Sequence, residues 1–130
     1  MAYTALVLTK ESRDFLLERF PPMYSETIAH HITMEFGVPA NTPPPEVTYV
    51  KVVGYIDSGD GLEALLCSVD GTTIRGDAGS YHITWSLEPH LYKPVDSNQI
   101  IQEHGHYNVS PLSVEFQAQT LGYSSTLHNT

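Results

Sequence analysis

Apolar and polar positions alternate over short stretches of this chain, and that period of two predicts strands for most of its length. Tyr3 to Thr9 is apolar and β-rich. Thr9 then stands where a helix cap would, ahead of Lys10 to Phe20, in which Phe15, Leu16 and Phe20 recur at helical spacing before Pro21 and Pro22 end the run. Ile28 to Phe36 reads as a strand: Ile28, His30, Ile32, Met34 and Phe36 fall on one face, His31, Thr33 and Glu35 on the other. After the loop NTPPPE, the segments VTYVKVVGYI and LEALLCSVD flank the turn DSGDG and predict a largely buried hairpin. The glycine- and aspartate-rich stretch DGTTIRGDAGS leads into another alternating strand, with Tyr81, Ile83, Trp85 and Leu87 apolar and Ser80, His82, Thr84 and Ser86 polar. A short helix is expected at about Ser97 to His104. A half-exposed strand follows in SVEFQAQT, and a flexible tail from about residue 122. Five or six strands with one or two helices make an α+β domain built on antiparallel sheet.

The two strands with polar faces share a tripeptide: His31-Ile32-Thr33 is repeated as His82-Ile83-Thr84. If the apolar face of each strand is the core side, His30 is a structural residue at the core edge. His31 and Thr33 then point the other way, as do His82 and Thr84. Two imidazoles can divide phosphodiester cleavage between a general base and a general acid, and the two hydroxyls can hold the non-bridging oxygens. Such a set needs neither metal nor cofactor.

Composition narrows the partners. With 130 residues the chain is expected to be a single domain, 1–130. Its formal charge is −9, from fifteen acidic against six scattered basic residues, which disfavours tracking along a long nucleic acid. A compact substrate in a local cavity fits that charge better. No apolar run suits a membrane, and the N-terminus does not read as a signal peptide, so a cytoplasmic protein is expected. The lone Cys67, within ALLCSV, reads as a small buried residue rather than a nucleophile.

Two His-hydrophobic-Thr motifs, each on a strand, resemble those of the 2H phosphoesterase superfamily. That group includes LigT-like and tRNA-ligase-type cyclic phosphodiesterases and small phage enzymes that degrade cyclic oligonucleotide immune signals. The opening strand and helix, YTALVLTKESRDFLLERF, also fit the layout. The resemblance implies a two-lobed antiparallel domain with few helices, His31 and His82 as the acid/base pair, and Thr33 and Thr84 as phosphate-holding residues. It further implies a cyclic nucleotide or cyclic oligonucleotide substrate, cleaved without metal in the cytoplasm (the host's, if the chain is viral). The alternatives are a 2′,3′-cyclic phosphodiesterase acting on RNA ends and a cyclic-nucleotide sponge without turnover. The chain departs from the family in having no helical pattern between the hairpin and the second motif.

Further substrate contacts are expected from Arg75, in the loop feeding the second motif, from Lys51, and from Tyr55 and Tyr92, whose rings could stack on a base; Tyr107 is a further candidate. His104 and His106, in EHGHYN, have the spacing of metal ligands, but without a further cluster they read as a solvated loop. His90 and His128 read as surface residues.

Overall fold

The computed structural model describes residues 1–122. The expected tail and His128 lie outside the described residues, Gly122 excepted. In chain order the elements are β1 (Ala2–Leu8), α1 (Lys10–Arg19), β2 (Glu26–Thr27), β3 (His31–Val38), β4 (Val50–Asp57), β5 (Leu62–Val69), β6 (His82–Leu87), α2 (Ser97–His104), β7 (Tyr107–Val114) and β8 (Phe116–Gly122). A single 3₁₀ turn, Pro94–Asp96, precedes α2. The protein is α+β, with two antiparallel sheets ordered β3-β1-β8 and β2-β6-β5-β4-β7. Among the described residues no helix is long and apolar enough to cross a membrane.

The sheets meet at both sides because two runs of chain change partner midway. Glu26 and Thr27 pair with Leu87 and Ser86, and the Ile28 and Ala29 amides donate to the Trp85 and Thr84 carbonyls. Ala29 then takes a positive φ of 44°, the Leu8 amide donates to the His30 carbonyl, and His31 onward pairs with β1. At the other side Val114 pairs with Val50 in the larger sheet, and Phe116, two residues on, pairs with Leu8 in the smaller. The first turns of α1 tie down both crossings. Arg13 Nε donates to the Ala29 carbonyl at 2.8 Å, the Thr9 amide donates to the Glu115 carbonyl, and the Ser12 hydroxyl accepts from the Glu115 amide at 2.7 Å. Thr9 caps the helix through a bond from the Ser12 amide, as the sequence predicts.

The main core lies between the sheets. It gathers Leu6, Leu8 and Ile32 from one, Val52, Leu65, Cys67, Ile83 and Trp85 from the other, and Leu16 of α1. Trp85 Nε1 donates to the Phe20 carbonyl at 2.7 Å, which fixes the helix end on that core. A second cluster joins Ile28, Ala64, Leu66 and Leu87 to Ile100 and Ile101 of α2 on the other face of the larger sheet. Cys67 is fully buried and burial pushes its thiol pKa up, as befits a packing residue.

The partner changes overturn part of the strand reading. Ile28 packs in the cluster under α2, whereas Ile32 and Met34 pack between the sheets, so Ile28 to Phe36 does not share one face. The turn at Ala29 breaks the alternation. A bulge breaks it again, because Ala5 pairs with Thr33 but Thr4 with Glu35. His30, expected at the core edge, is a half-buried residue at the crossing, its ring bonded to His31. The one strand expected in SVEFQAQT is likewise two, split at Glu115, and β7 begins earlier than its sequence suggests.

Candidate functional site

His31 is the first residue of β3 and His82 the first of β6. The Ala29 amide bonds the Thr84 carbonyl at 3.0 Å, and the two histidines lie two residues from that bond in opposite chain directions. Both therefore stand at the seam where the sheets part, with β3 and β6 in contact. Ile32 and Ile83 face the core between the sheets, so alternation places His31, Thr33, His82 and Thr84 on the outer faces, the parity read from the sequence. Outer does not mean exposed, however: His31, Thr33, His82 and Thr84 are each only 1% exposed. The face opposite the core is therefore not a solvent-facing one, and on β6 the physical reason is α2. That helix covers the face carrying Ala64 and Leu66, the partners of Thr84 and His82.

The contacts around each group are specific. Thr84 Oγ1 lies 2.7 Å from Ser97 Oγ at the start of α2 and donates to the Pro94 carbonyl at 3.2 Å. His82 Nδ1 lies 2.8 Å from the Ser80 carbonyl oxygen. A carbonyl can only accept, so Nδ1 carries the proton and Nε2 of the neutral ring holds the lone pair. Nε2 is buried without a partner among the described residues. Burial, with a smaller contribution from the Arg75 charge, draws the His82 pKa down to about 4. An ordinary imidazole titrates near 6.5, so in this closed arrangement His82 departs from the acid–base partner that the sequence predicts. His31 Nδ1 lies 2.9 Å from His30 Nδ1, so one ring donates to the other, and the Tyr3 ring sits 5.6 Å from that of His31. Burial, followed by the Arg13 charge, lowers the His30 pKa.

Of the four further residues expected to touch substrate, Arg75 alone joins the histidine site. It is 4% exposed, and its Nε donates to Asp77 at 2.9 Å and its Nη2 to Asn98 of α2 at 2.8 Å. The guanidinium lies 5.1 Å from the Phe36 ring centroid, and Nη1 is buried without a partner among the described residues. Lys51 is on β4 with β5 between it and β6, its ammonium over the Tyr49 ring. Tyr55 lies toward the opposite face, stacked on Phe20, with its hydroxyl donating to Glu63 at 2.6 Å. Tyr92 donates to Asp60 beside the hairpin turn, at the far end of β6 from His82. Tyr107 is largely exposed on β7. Lys51, Tyr55 and Tyr92, expected as substrate contacts, are thus kept from the histidine site: Lys51 and Tyr55 sit on β4, beyond β5, and Tyr92 follows the far end of β6.

Two contacts were not anticipated. Ser97 reads from sequence only as the start of a helix, yet it bonds Thr84; Phe36 reads as core, yet carries the Arg75 guanidinium. Among the described residues no group of three His, Cys, Asp or Glu side chains could hold a metal ion, and His106 Nε2 instead lies 3.1 Å from Asn108 Oδ1. Comparison with protein-family models, with curated proteins and with solved structures finds no match to this chain.

Proposed function

We propose that the chain is a metal-independent phosphodiesterase of the two-histidine kind, acting on a compact cyclic nucleotide or cyclic oligonucleotide. The observation that carries this reading is the meeting of both His-x-Thr motifs at one seam, beside two buried polar atoms, His82 Nε2 and Arg75 Nη1, that have no partner among the described residues. Buried polar atoms are nearly always paired, so the guanidinium N–H suits a phosphate oxygen and the lone-pair nitrogen suits an O–H donor such as the attacking water. Neutral His82, its Nδ1 proton held by Ser80, serves as the base that takes a proton from the attacking water. As the new P–O bond forms and the ester P–O bond breaks, His31 donates a proton to the departing oxygen. Thr33, Thr84 and Arg75 hold the non-bridging oxygens. An anionic phosphate beside His82 raises its pKa back toward neutrality, where a base is most effective.

Substrate access to Thr84 requires residues 94–104 to lift, because Ser97 and the Pro94 carbonyl occupy its hydroxyl. That closure favours a second reading, a protein that binds such a compound without turnover. The test is incubation of wild type and the His31→Ala/His82→Ala double variant, in EDTA, with cyclic mono-, di- and trinucleotides, 2′,3′-cyclic nucleotides and an RNA bearing a 2′,3′-cyclic end. Cleavage by the wild type alone supports the enzyme; retention of one compound without cleavage supports the sponge. Neither cleavage nor binding removes both.

A further inference from the structure

A half-open cavity of about 560 Å³ lies next to the Arg75 loop, within the size range of small-molecule sites (about 300–1,000 Å³). Its walls include Thr4, Met34, Glu35, Phe36, Asp77 and Tyr81. It adjoins the histidine site through Phe36 and Asp77: Phe36 carries the Arg75 guanidinium and Asp77 is bonded to Arg75, while Arg75 also acts on the His82 pKa. Neither Met34 nor Glu35 belongs to the tripeptide, and the bulge between Thr33 and Glu35 is what reorients this stretch toward the cavity.

The wall chemistry is selective. Phe36, Tyr81 and Met34 offer flat or compliant apolar surface, the environment in which an aromatic base stacks. Asp77 is committed, to the Arg75 guanidinium and to the Gly79 amide. Glu35 is exposed and its carboxylate has no hydrogen bond or ion pair among the described residues, so it is an open acceptor on the cavity wall. Thr4 and Tyr81 supply hydroxyls, and burial raises the Tyr81 pKa, which keeps the phenol a donor. A carboxylate acceptor beside hydroxyl donors matches an edge with adjacent N–H groups and a carbonyl oxygen. Guanine has that edge. Adenine sets one amino group beside a bare ring nitrogen, whose lone pair would face the carboxylate.

We propose that this cavity is a guanine-selective base site serving the histidine site through Arg75. The proposal rests on the phosphodiesterase reading only for its link to catalysis, since base binding can be measured without turnover. Glu35 accepts from the two guanine N–H groups, a hydroxyl of Thr4 or Tyr81 donates to the carbonyl oxygen, and the ring lies against Phe36.

The experiment is calorimetric titration of wild type, Glu35→Gln, Tyr81→Phe and the His31→Ala/His82→Ala double variant with guanosine and adenosine monophosphates. In parallel, wild type is assayed on the two matching 2′,3′-cyclic nucleotides. Wild type and the histidine variant are expected to bind the guanine nucleotide at least about tenfold more tightly, the scale of hydrogen bonds to a charged acceptor. Glu35→Gln, at an exposed position that leaves the fold intact, should reduce the preference below about threefold. A guanine nucleotide that fails to bind, or a preference unchanged in Glu35→Gln, overturns the base site. Base-blind cleavage by the wild type sinks the base site and leaves the phosphodiesterase standing. Guanine-selective binding with no cleavage of any nucleotide does the reverse.

Discussion

His82 supplies the sharpest test of the closed site, because its titration is set by the geometry. An unfolded histidine titrates near 6.5, and the folded one at about 4. The unfolded chain therefore binds more protons between those values, so stability rises with pH there. The contribution of His82 is fully present above about pH 6.5 and is lost as pH falls through the window to about 4. A gap of about 2.5 units corresponds to about 3 kcal/mol, undiminished by solvent screening because the ring is wholly buried. The perturbation is His82→Asn, whose amide nitrogen can still donate to the Ser80 carbonyl but which does not titrate. Urea unfolding of both proteins across the range from about pH 4 to 7.5 can be followed by fluorescence of Trp85, the single tryptophan, which is fully buried. Carboxylates common to both proteins cancel in the difference. Wild type minus variant should fall by about 3 kcal/mol from neutrality to about pH 4, with a slope approaching about 1.4 kcal/mol per pH unit. A difference flat to about 0.5 kcal/mol over that range would refute the reasoning and mean that His82 is solvated or already paired.

Other perturbations probe the elements that hold the seam. Thr84→Val removes the hydroxyl that meets Ser97 and the Pro94 carbonyl, and should cost about 2 kcal/mol in urea unfolding; adding Ser97→Ala should cost less than the sum, because the partner is already lost. Arg13→Met breaks the charged bond to the Ala29 carbonyl and should destabilise by about 2 kcal/mol; an unchanged unfolding midpoint would show that the crossing does not depend on α1. Leu16→Ala, emptying a fully buried site in the main core, should cost about 3 kcal/mol by thermal or urea unfolding. Gly54→Ala should be destabilising by about 2 kcal/mol, since the added methyl would lie 3.1 Å from Leu66 Cβ and 2.8 Å from His106 Cδ2.

The closed site also bears on mechanism. Thr84 and Ser97 share a hydroxyl contact that substrate oxygens would replace, and Arg75 and Asn98 share a second contact between the loop and α2. Loosening α2 through Ser97→Ala should therefore increase the apparent affinity for a phosphate-bearing ligand under the proposed function, a change opposite in sign to its effect on stability. Titration of wild type and variant with the compound retained in the incubation panel measures it.

Alternation along each strand by itself determined much of this molecule. The capped helix after β1, the hairpin around DSGDG, the short helix from Ser97 and the parity that puts His31 with Thr33 and His82 with Thr84 opposite Ile32 and Ile83 are all local properties, set by side-chain period, turn residues and capping. What the tertiary structure alone decided is which surface that parity faces. The positive φ at Ala29 and the break at Glu115 let two runs of chain pass from one sheet to the other, and a period of two cannot register a change of partner. The same holds for α2: its sequence states that it is a helix, but the packing of Ile100 and Ile101 over Ala64 and Leu66 turned a polar strand face into an interior one. His82 is buried and its pKa depressed for that reason. Burial depends on contacts between residues far apart in the chain, whereas alternation depends only on neighbours.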